Sequence, residues 1–184
     1  IARDYKANGI KWVAVGDAIA NLLATRGAEV CREYYLNDVG AQLGAFGQSL
    51  LARTRGEEPP EDGYRGDYVV AMAERARAEL GADLDLETVR EWGYHEVVRE
   101  LREDLARIGV TFDVWFSERT LHERGDVTAV IESLRAKGYL VDRDGATWLR
   151  SSELGDQRDR VLVKSDGATT YLAADLAYHR DKLA

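Results

Sequence analysis

The stretch REYYLNDVGAQ, residues 32–42, decides the fold class because it joins a strand, a turn and the start of a helix. Residues 29–36 are rich in valine and tyrosine and predict a short buried strand. Asn37, Asp38 and Gly40 are typical turn residues. From residue 39 to residue 55 apolar side chains return at helical spacing. A strand that runs through a tight turn into a helix indicates an α/β fold.

An amphipathic helix is predicted upstream of this strand. Over residues 12–25 apolar side chains recur at helical spacing, and Arg26 followed by Gly27 supplies a basic last turn and a stop signal. Helix, tight turn and strand follow one another here, which is the order of elements in an α/β unit.

The middle of the chain changes character at residues 55–66, which carry both prolines and several acids and predict an exposed loop. Two amphipathic stretches follow, at 68–80 and 86–108, joined near residues 81–83. They predict an inserted helical hairpin. The arginines of this insertion alternate with acids, which is typical of a solvated helix face rather than an RNA site; they are Arg75, Arg77, Arg90, Arg99 and Arg102.

The last third of the chain returns to mixed structure. Residues 110–116 predict a strand, and residues 126–137 predict a helix that begins near Asp126 and stops at Gly138. Strands at 139–141 and 146–149 form a predicted hairpin around a polar turn. Further strands are predicted at 160–163 and 169–172, separated by a turn at 165–167, and a helix at 173–183.

Composition limits the classes of protein that the chain can belong to. With 184 residues and 45% hydrophobic content, it can bury the core of one domain, or of one domain with a small insertion. The formal net charge of −8 argues against a broad phosphate-binding face. Cys31 is the single cysteine, and the dispersed histidines include no helical metal pair, so we expect no metal site.

No run of apolar residues is long enough to span a membrane, and the first residues lack the pattern of a signal peptide. We therefore expect a soluble protein of the cytoplasm. The chain opens on Ile1 without an initiator methionine and closes on Ala184 directly after a helical pattern. From this we expect an incomplete piece of a larger protein.

Five segments, matched in order, resemble bacterial arginyl-tRNA synthetases. WVAVGDA at 12–18 is similar to the opening of the family's first helix, and REYYLNDVGAQ at 32–42 to the strand and turn that follow it. DRDGATWL at 142–149 and DRVLVKSDG at 159–167 resemble the family's hairpin. TYLAADLAYHRDK at 170–182 resembles the next strand and helix. The resemblance covers nearly the whole chain and is weakest over residues 55–108.

The resemblance implies a class I aminoacyl-tRNA synthetase with an α/β fold, a partial Rossmann-like nucleotide-binding catalytic domain with a helical insertion. Its parts would be a first portion of the catalytic domain at 1–55, the insertion at 56–108 and the continuation at 109–184. The implied activity is ATP-dependent activation of arginine, with Mg²⁺, followed by transfer to the arginine tRNA. No DNA, no membrane and no structural cofactor are expected.

The resemblance also assigns candidate site residues. Tyr171 and Asp175 match the aromatic residue and the acid of the family's substrate motif, and Asp175 would pair with the guanidinium of arginine, whose donor fork suits a carboxylate. Glu118 aligns with a second acid, and Asn37 and Gln42 would line the pocket. Other readings stay open: Tyr171 as a core aromatic, Asp175 as a helix N-terminal charge, and Asn37 as a turn residue.

The family's His-x-Gly-His-like ATP signature is degraded in this chain. An ungapped count back from Trp12 places it at 6–9, with Lys6 in place of the first histidine, Asn8 in place of a glycine, and Gly9 retained. Lysine lacks the donor geometry of imidazole, and the side chain of Asn8 would crowd the nucleotide. The catalytic residues are therefore unassigned, and we expect the chain to be inactive by itself.

Three interpretations follow. The first, which we prefer, is a portion of an active arginine–tRNA ligase. The second is a non-catalytic, synthetase-like arginine-binding or interaction module that has lost ATP chemistry. The third is a structural or interaction domain whose pocket is vestigial. Arginine binding would exclude the structural or interaction domain. ATP binding would then favour the ligase portion over the non-catalytic module.

Overall fold

The computed structural model describes the backbone of residues 10–183 and the side chains from Trp12 onward. Two compact units divide at Phe116 and Ser117. The first contains α1 (Ile10–Thr25), β1 (Glu33–Leu36), α2 (Ala41–Thr54), α3 (Asp67–Leu80), α4 (Leu86–Arg107) and most of β2 (Val114–Ser117). The second contains α5 (Glu118–Glu123), α6 (Asp126–Ala136), β3 (Leu140–Arg143), β4 (Ala146–Leu149), a 3₁₀ helix (Ser151–Leu154), β5 (Arg160–Val163) and α7 (Tyr171–Lys182).

The core of the first unit lies between α2, α3 and α4. It forms because the apolar residues of each helix repeat on one face; its buried members are Phe46, Leu50, Val69, Met72, Ala73, Leu84 and Val89. Asp85 begins α4 by accepting a hydrogen bond from the backbone N–H of Thr88 over 2.9 Å. The helices predicted at 68–80 and 86–108 are both confirmed, and each packs against α2.

Glycines allow α2 and α4 to approach closely. A Cβ at Gly47 of α2 would lie 2.8 Å from the Cβ of Arg90, and a Cβ at Gly93 of α4 would lie 2.7 Å from Cδ2 of Leu50. Real side chains do not approach so closely, so neither position admits even a methyl group at this helix separation.

The arginines of the insertion are engaged within the first unit. Arg75 forms ion pairs with Glu96 and Glu100, and Arg99 with Glu96 and Glu103. Hydrogen bonds from Arg99 lower the pKa of Glu96 below its ordinary value. In the remaining contacts, Arg90 pairs with acids of its own helix, Arg77 donates to a backbone carbonyl, and Arg102 lies over the ring of Trp115.

The strands β1 and β2 pair in a two-stranded sheet. The carbonyl of Arg32 accepts hydrogen bonds from the backbone N–H groups of Asp113 and Val114, and the ring of Tyr34 stacks on that of Trp115 with centroids 4.8 Å apart. Both strands are shorter than predicted. Backbone bonding to the partner begins only at Arg32 and Asp113, so the residues before these points are not part of either strand.

The first helix, α1, has the predicted position but leaves its apolar face exposed. Trp12 keeps 76% of its surface accessible and Leu22 keeps 66%. Polar contacts join the opposite side of α1 to Arg32, the residue before β1, which donates to Asp17 over 3.1 Å and to Asn21 over 2.7 Å. None of the helices within residues 10–183 combines the length and the apolar content that a membrane span requires.

The second unit is built on an antiparallel sheet in the order β3-β4-β5, with helices α5, α6 and α7 packed together. Leu140 pairs with Leu149 across the predicted hairpin. Its two-residue turn is Asp144-Gly145, with φ of 52° and 74°. Positive φ at both positions matches the right-handed twist of the strands and favours glycine or a short acid.

The prediction of a strand at 169–172 is wrong beyond Thr169. Thr169 forms an isolated bridge with Val163, and α7 begins at Tyr171 rather than at residue 173. The cause is Thr170, whose N–H donates to the carbonyl of Leu162 over 2.8 Å and whose hydroxyl donates to that of Val161 over 2.7 Å. These bonds hold Thr170 in an extended conformation beside β5, and the helix begins at the next residue. The short helices α5 and Ser151–Leu154 were not predicted.

Replacement of Gly47 by alanine tests the close approach of α2 and α4. Gly47→Ala should lower the free energy of unfolding by about 1 to 3 kcal/mol, because the stem of Arg90 leaves no room for a methyl group. Gly44→Ala is the matched control: it lies in the same helix with nothing within 4 Å of its Cβ position, and should be neutral or stabilising by up to about 1 kcal/mol. Urea denaturation of both variants provides the measurement, and equal stabilities would contradict the close packing.

Candidate functional site

A cavity of about 560 Å³ in the first unit contains two of the predicted site residues, Asn37 and Gln42. Asn37 follows the end of β1 directly, and Gln42 is the second residue of α2. Both side chains are exposed, and neither makes a hydrogen bond with the residues that the structure describes. The strand-turn-helix unit therefore places two amide groups at one cavity.

Most of the cavity wall is aromatic or aliphatic. It is lined from α2, α3 and α4 and from β1, and its aromatic members are Tyr34, Tyr35, Phe46, Tyr64, Tyr68 and Tyr94. Burial raises the pKa of Tyr68 above its ordinary value, and the neighbouring Tyr64 raises it further. This wall suits the methylene groups of a flexible ligand and leaves recognition of polar groups to a few side chains.

Two carboxylates of α4, not predicted as site residues, also line this cavity. Glu100 forms an ion pair with Arg75 at 2.8 Å, and Asp104 forms one with Arg107 at 3.0 Å. Their four-residue spacing on a helix, which places both on one face, was the signal available in the sequence. Since both already have arginine partners, neither provides an unpaired charge for a cationic ligand.

The turn that follows β1 contains a buried acid. Asp38 is only 3% exposed, and its Oδ2 accepts a hydrogen bond over 2.8 Å from the hydroxyl of Tyr94 on α4. A buried carboxylate needs such donors, because each hydrogen bond to water that is lost without replacement costs about 1–3 kcal/mol. Sequence reading treated Asp38 only as a turn residue, and no local pattern reveals a partner so far along the chain.

Tyr171 and Asp175 lie one helical turn apart at the start of α7. Tyr171 is 77% exposed, so it lies outside the core of the second unit. Asp175 is half-buried, and its carboxylate forms no ion pair or hydrogen bond with any residue in the described part of the chain. Its backbone carbonyl accepts from Nδ1 of His179 over 2.7 Å. The spacing places the ring and the carboxylate on the same side of the helix.

Glu118, the third predicted acid, is the first residue of α5, which packs against α7. Its side chain is 13% exposed, and its Oε1 lies 3.7 Å from Nε2 of His122. The sequence offered no partner for His122, because α5 itself was not predicted. Tyr171, Asp175 and Glu118 thus belong to the second unit, whereas Asn37 and Gln42 belong to the first.

A polar pocket of about 760 Å³ opens beside Tyr171. Trp148 also lines it, as do Arg143 and Arg160, and both arginines are paired: Arg143 with Asp159 and Arg160 with Asp156. Hydrogen bonds from the Arg160 guanidinium and from the N–H of Gln157 lower the pKa of Asp156 from 3.8 to about 2. Asp156 therefore stays ionised in all but strongly acidic solution.

Lys6, Asn8 and Gly9, where the resemblance places the degraded ATP signature, lie outside the described residues. The structure begins at Ile10, the first residue of α1. Within the described range, no cluster of three or more histidine, cysteine, aspartate or glutamate side chains is arranged to hold a metal ion.

A family model described as tRNA synthetases class I (R), catalytic domain, matches residues 66–184. The arginine–tRNA ligase of Kineococcus radiotolerans is 48% identical over 180 residues, which are 95% of this chain and 32% of that protein. The arginine–tRNA ligase of Frankia alni is 47% identical over 94% of this chain and 32% of its own length.

Solved structures agree with this match. A crystal structure from Campylobacter jejuni, described as an arginyl-tRNA synthetase, superposes with a TM-score of 0.85 and 31% identity; the match covers 93% of this chain and 40% of that one. The Thermus thermophilus arginyl-tRNA synthetase gives a TM-score of 0.56 and 27% identity over 91% of this chain and 31% of that one.

The fold is the Rossmann-like α/β catalytic fold of class I synthetases, as predicted. The chain belongs to the catalytic-domain family of the class I tRNA synthetases for arginine. It spans about a third of the length of the curated relatives that it matches, 32% in both. The division at 1–55, 56–108 and 109–184 stays a prediction, as do the roles of the individual site residues.

The ion pair between Asp156 and Arg160 gives a pH prediction. Because the pKa of Asp156 is lowered in the folded state to about 2, its contribution to stability is present above its ordinary pKa near 3.8 and is lost as the pH falls through about 2. Carboxyl ¹³C chemical shifts should show this low midpoint. Arg160→Gln should move the midpoint up towards the ordinary value, whereas Arg150→Gln, which removes a partner of Glu153, should leave it in place. An unchanged midpoint in Arg160→Gln would disprove the assigned cause.

Proposed function

We propose that this chain is the arginine-recognising part of an arginine–tRNA ligase, which activates arginine with ATP and transfers it to the arginine tRNA. One observation carries the proposal. The carboxylate of Asp175 is half-buried and has no ionic or hydrogen-bonded partner among the described residues, whereas Asp126 and Asp181 of the same unit both pair with Arg124. A carboxylate in such a position is suited to a cationic ligand.

Arginine recognition follows from the chemistry of its side chain. The planar guanidinium presents a fork of N–H donors, and a carboxylate accepts two of them in parallel. In the proposal Asp175 accepts this fork and Tyr171, on the same side of α7, packs beside it. Glu118 supplies a second negative charge from the neighbouring helix α5.

The amide groups of Asn37 and Gln42 support the proposal in the first unit. An amide offers both donors and an acceptor, so it can bind polar groups of a substrate. Both line a cavity whose aromatic wall suits aliphatic methylene groups. We assign them to substrate contacts, in keeping with the family resemblance.

ATP would be held near the N-terminus of α1. The helix begins at Ile10, directly after the signature positions, and its first turn carries no acid that would repel phosphate. Backbone N–H groups and the helix dipole favour phosphate at such an end. Lys6 can neutralise phosphate charge but lacks imidazole geometry, so we expect slow adenylate formation. In the intact, longer enzyme Mg²⁺ would accompany ATP, and the arginine tRNA would be a further substrate. We place this enzyme in the cytoplasm.

The altered signature supports a second candidate function. With Lys6 and Asn8 at these positions, the chain could serve as an arginine-binding module without ligase chemistry. The two functions share the arginine pocket and differ in ATP use. Calorimetric titration with ATP in the presence of arginine distinguishes them: heat of binding supports the ligase, and its absence supports the module.

Titration of the chain with arginine by calorimetry tests the proposed pocket. Asp175→Asn should weaken arginine binding by about tenfold to a hundredfold, because it removes charge-assisted hydrogen bonds to the guanidinium. Lysine and citrulline, which lack the charged fork, should bind far more weakly than arginine to the unaltered chain.

Asp144→Asn is the matched control, because it makes the same change in the β3–β4 turn of the same unit, where asparagine tolerates positive φ. It should leave arginine affinity unchanged. Equal affinities of the unaltered chain and Asp175→Asn would refute the role of Asp175. Failure of the folded chain to bind arginine would refute the pocket and favour the interpretation as a structural module.

A further inference from the structure

The helical insertion reaches back to the turn that carries Asn37. Tyr94 lies on α4, within the insertion, and its hydroxyl donates to Oδ2 of Asp38 over 2.8 Å. Asp38 is the immediate neighbour of Asn37 and lies in the turn between β1 and α2. A residue far along the chain therefore contacts the turn that the family resemblance assigns to substrate binding.

The position of Tyr94 on α4 is fixed by the closest part of the helix crossing. The preceding residue, Gly93, lies where a Cβ would come within 2.7 Å of Leu50 of α2. One turn earlier on α4, the Cβ of Arg90 lies against Gly47. Since α4 can neither slide nor rotate here without steric overlap, the backbone position from which the Tyr94 side chain projects is fixed.

The turn between β1 and α2 combines exposed residues with one buried side chain. Gly40 occupies the N-cap position of α2 with φ of 94° and supplies no side-chain cap. Asn37 and Gly40 are both exposed, whereas Asp38 is buried at 3% exposure. The buried carboxylate is thus the point at which the turn is attached to the interior of the first unit.

We infer that Tyr94 is a positioning residue: its hydroxyl, by holding the carboxylate of Asp38, sets the orientation of Asn37 at the cavity. The insertion then takes part in substrate recognition without touching substrate through this residue. The link to arginine rests on the proposed function, whereas the ordering of the turn does not. Each part has its own measurement.

Hydrogen–deuterium exchange of the whole chain tests the ordering of the turn. Tyr94→Phe keeps the ring and removes only the donor, so amides of residues 37–44 should exchange about tenfold faster, reflecting one lost charge-assisted hydrogen bond. Tyr64→Phe is the matched control. It removes a hydroxyl from a residue of the same cavity, and the ring of Tyr64, which packs on Phe46, is kept. Unchanged exchange at 37–44 in Tyr94→Phe, or equal acceleration in both variants, would overturn the inference.

Arginine affinity tests whether Tyr94 acts through Asn37. Tyr94→Phe should weaken arginine binding about fivefold in the unaltered background and should have no further effect in the Asn37→Ala background, because coupled residues are not additive. Additive losses, or faster exchange with unaltered affinity, would overturn the role in positioning Asn37. If the unaltered chain binds no arginine, the proposed function fails, and the exchange measurement alone decides whether Tyr94 orders the turn.

Discussion

The close crossing of α2 and α4 is the constraint on which the first unit depends. Gly47 and Gly93 bring the two backbones together, and the gap between them is filled by Leu50, Phe46 and the stem of Arg90. A methyl group at Gly47 would force the helices apart and disturb every side chain packed between them. The same crossing determines where Tyr94 meets Asp38, so core packing and the geometry of the β1–α2 turn share one cause.

The second unit depends on the junction between β5 and α7. Thr170 donates twice to the backbone of β5, and the helix begins at the next residue. The position of the first turn of α7 then decides where Tyr171 and Asp175 project. An exposed aromatic ring and a half-buried carboxylate result, and their helical spacing keeps them on one side. Two hydrogen bonds from Thr170, one from its backbone N–H and one from its hydroxyl, thus precede the residues that the family resemblance assigns to arginine.

Ionic contacts distinguish the candidate site from the rest of the surface. Most arginines predicted to lie in the insertion are paired with acids, as expected for a solvated helix face. Arg143 and Arg160 of the second unit are paired with acids as well. Asn37, Gln42 and Asp175 differ in having no partner within the described range. Polar groups that the fold leaves unsatisfied are the ones available to a ligand, and the partial burial of Asp175 makes its binding stronger than in open water.

The sequence by itself determined the α/β class, the family and the positions of the long helices, because 3.6-residue periodicity, stop signals such as Gly138 and the 32–42 segment are local properties. The strand at 169–172 was predicted wrongly, and α5 was missed, since hydrogen bonds from Thr170 and packing on α7 outweigh local propensity. Only the tertiary structure decided that Asn37 and Gln42 share a cavity, that Tyr171 is exposed and that Tyr94 meets Asp38. The cavity wall and the bond between Tyr94 and Asp38 join residues far apart in the chain, and their formation depends on how closely the helices pack.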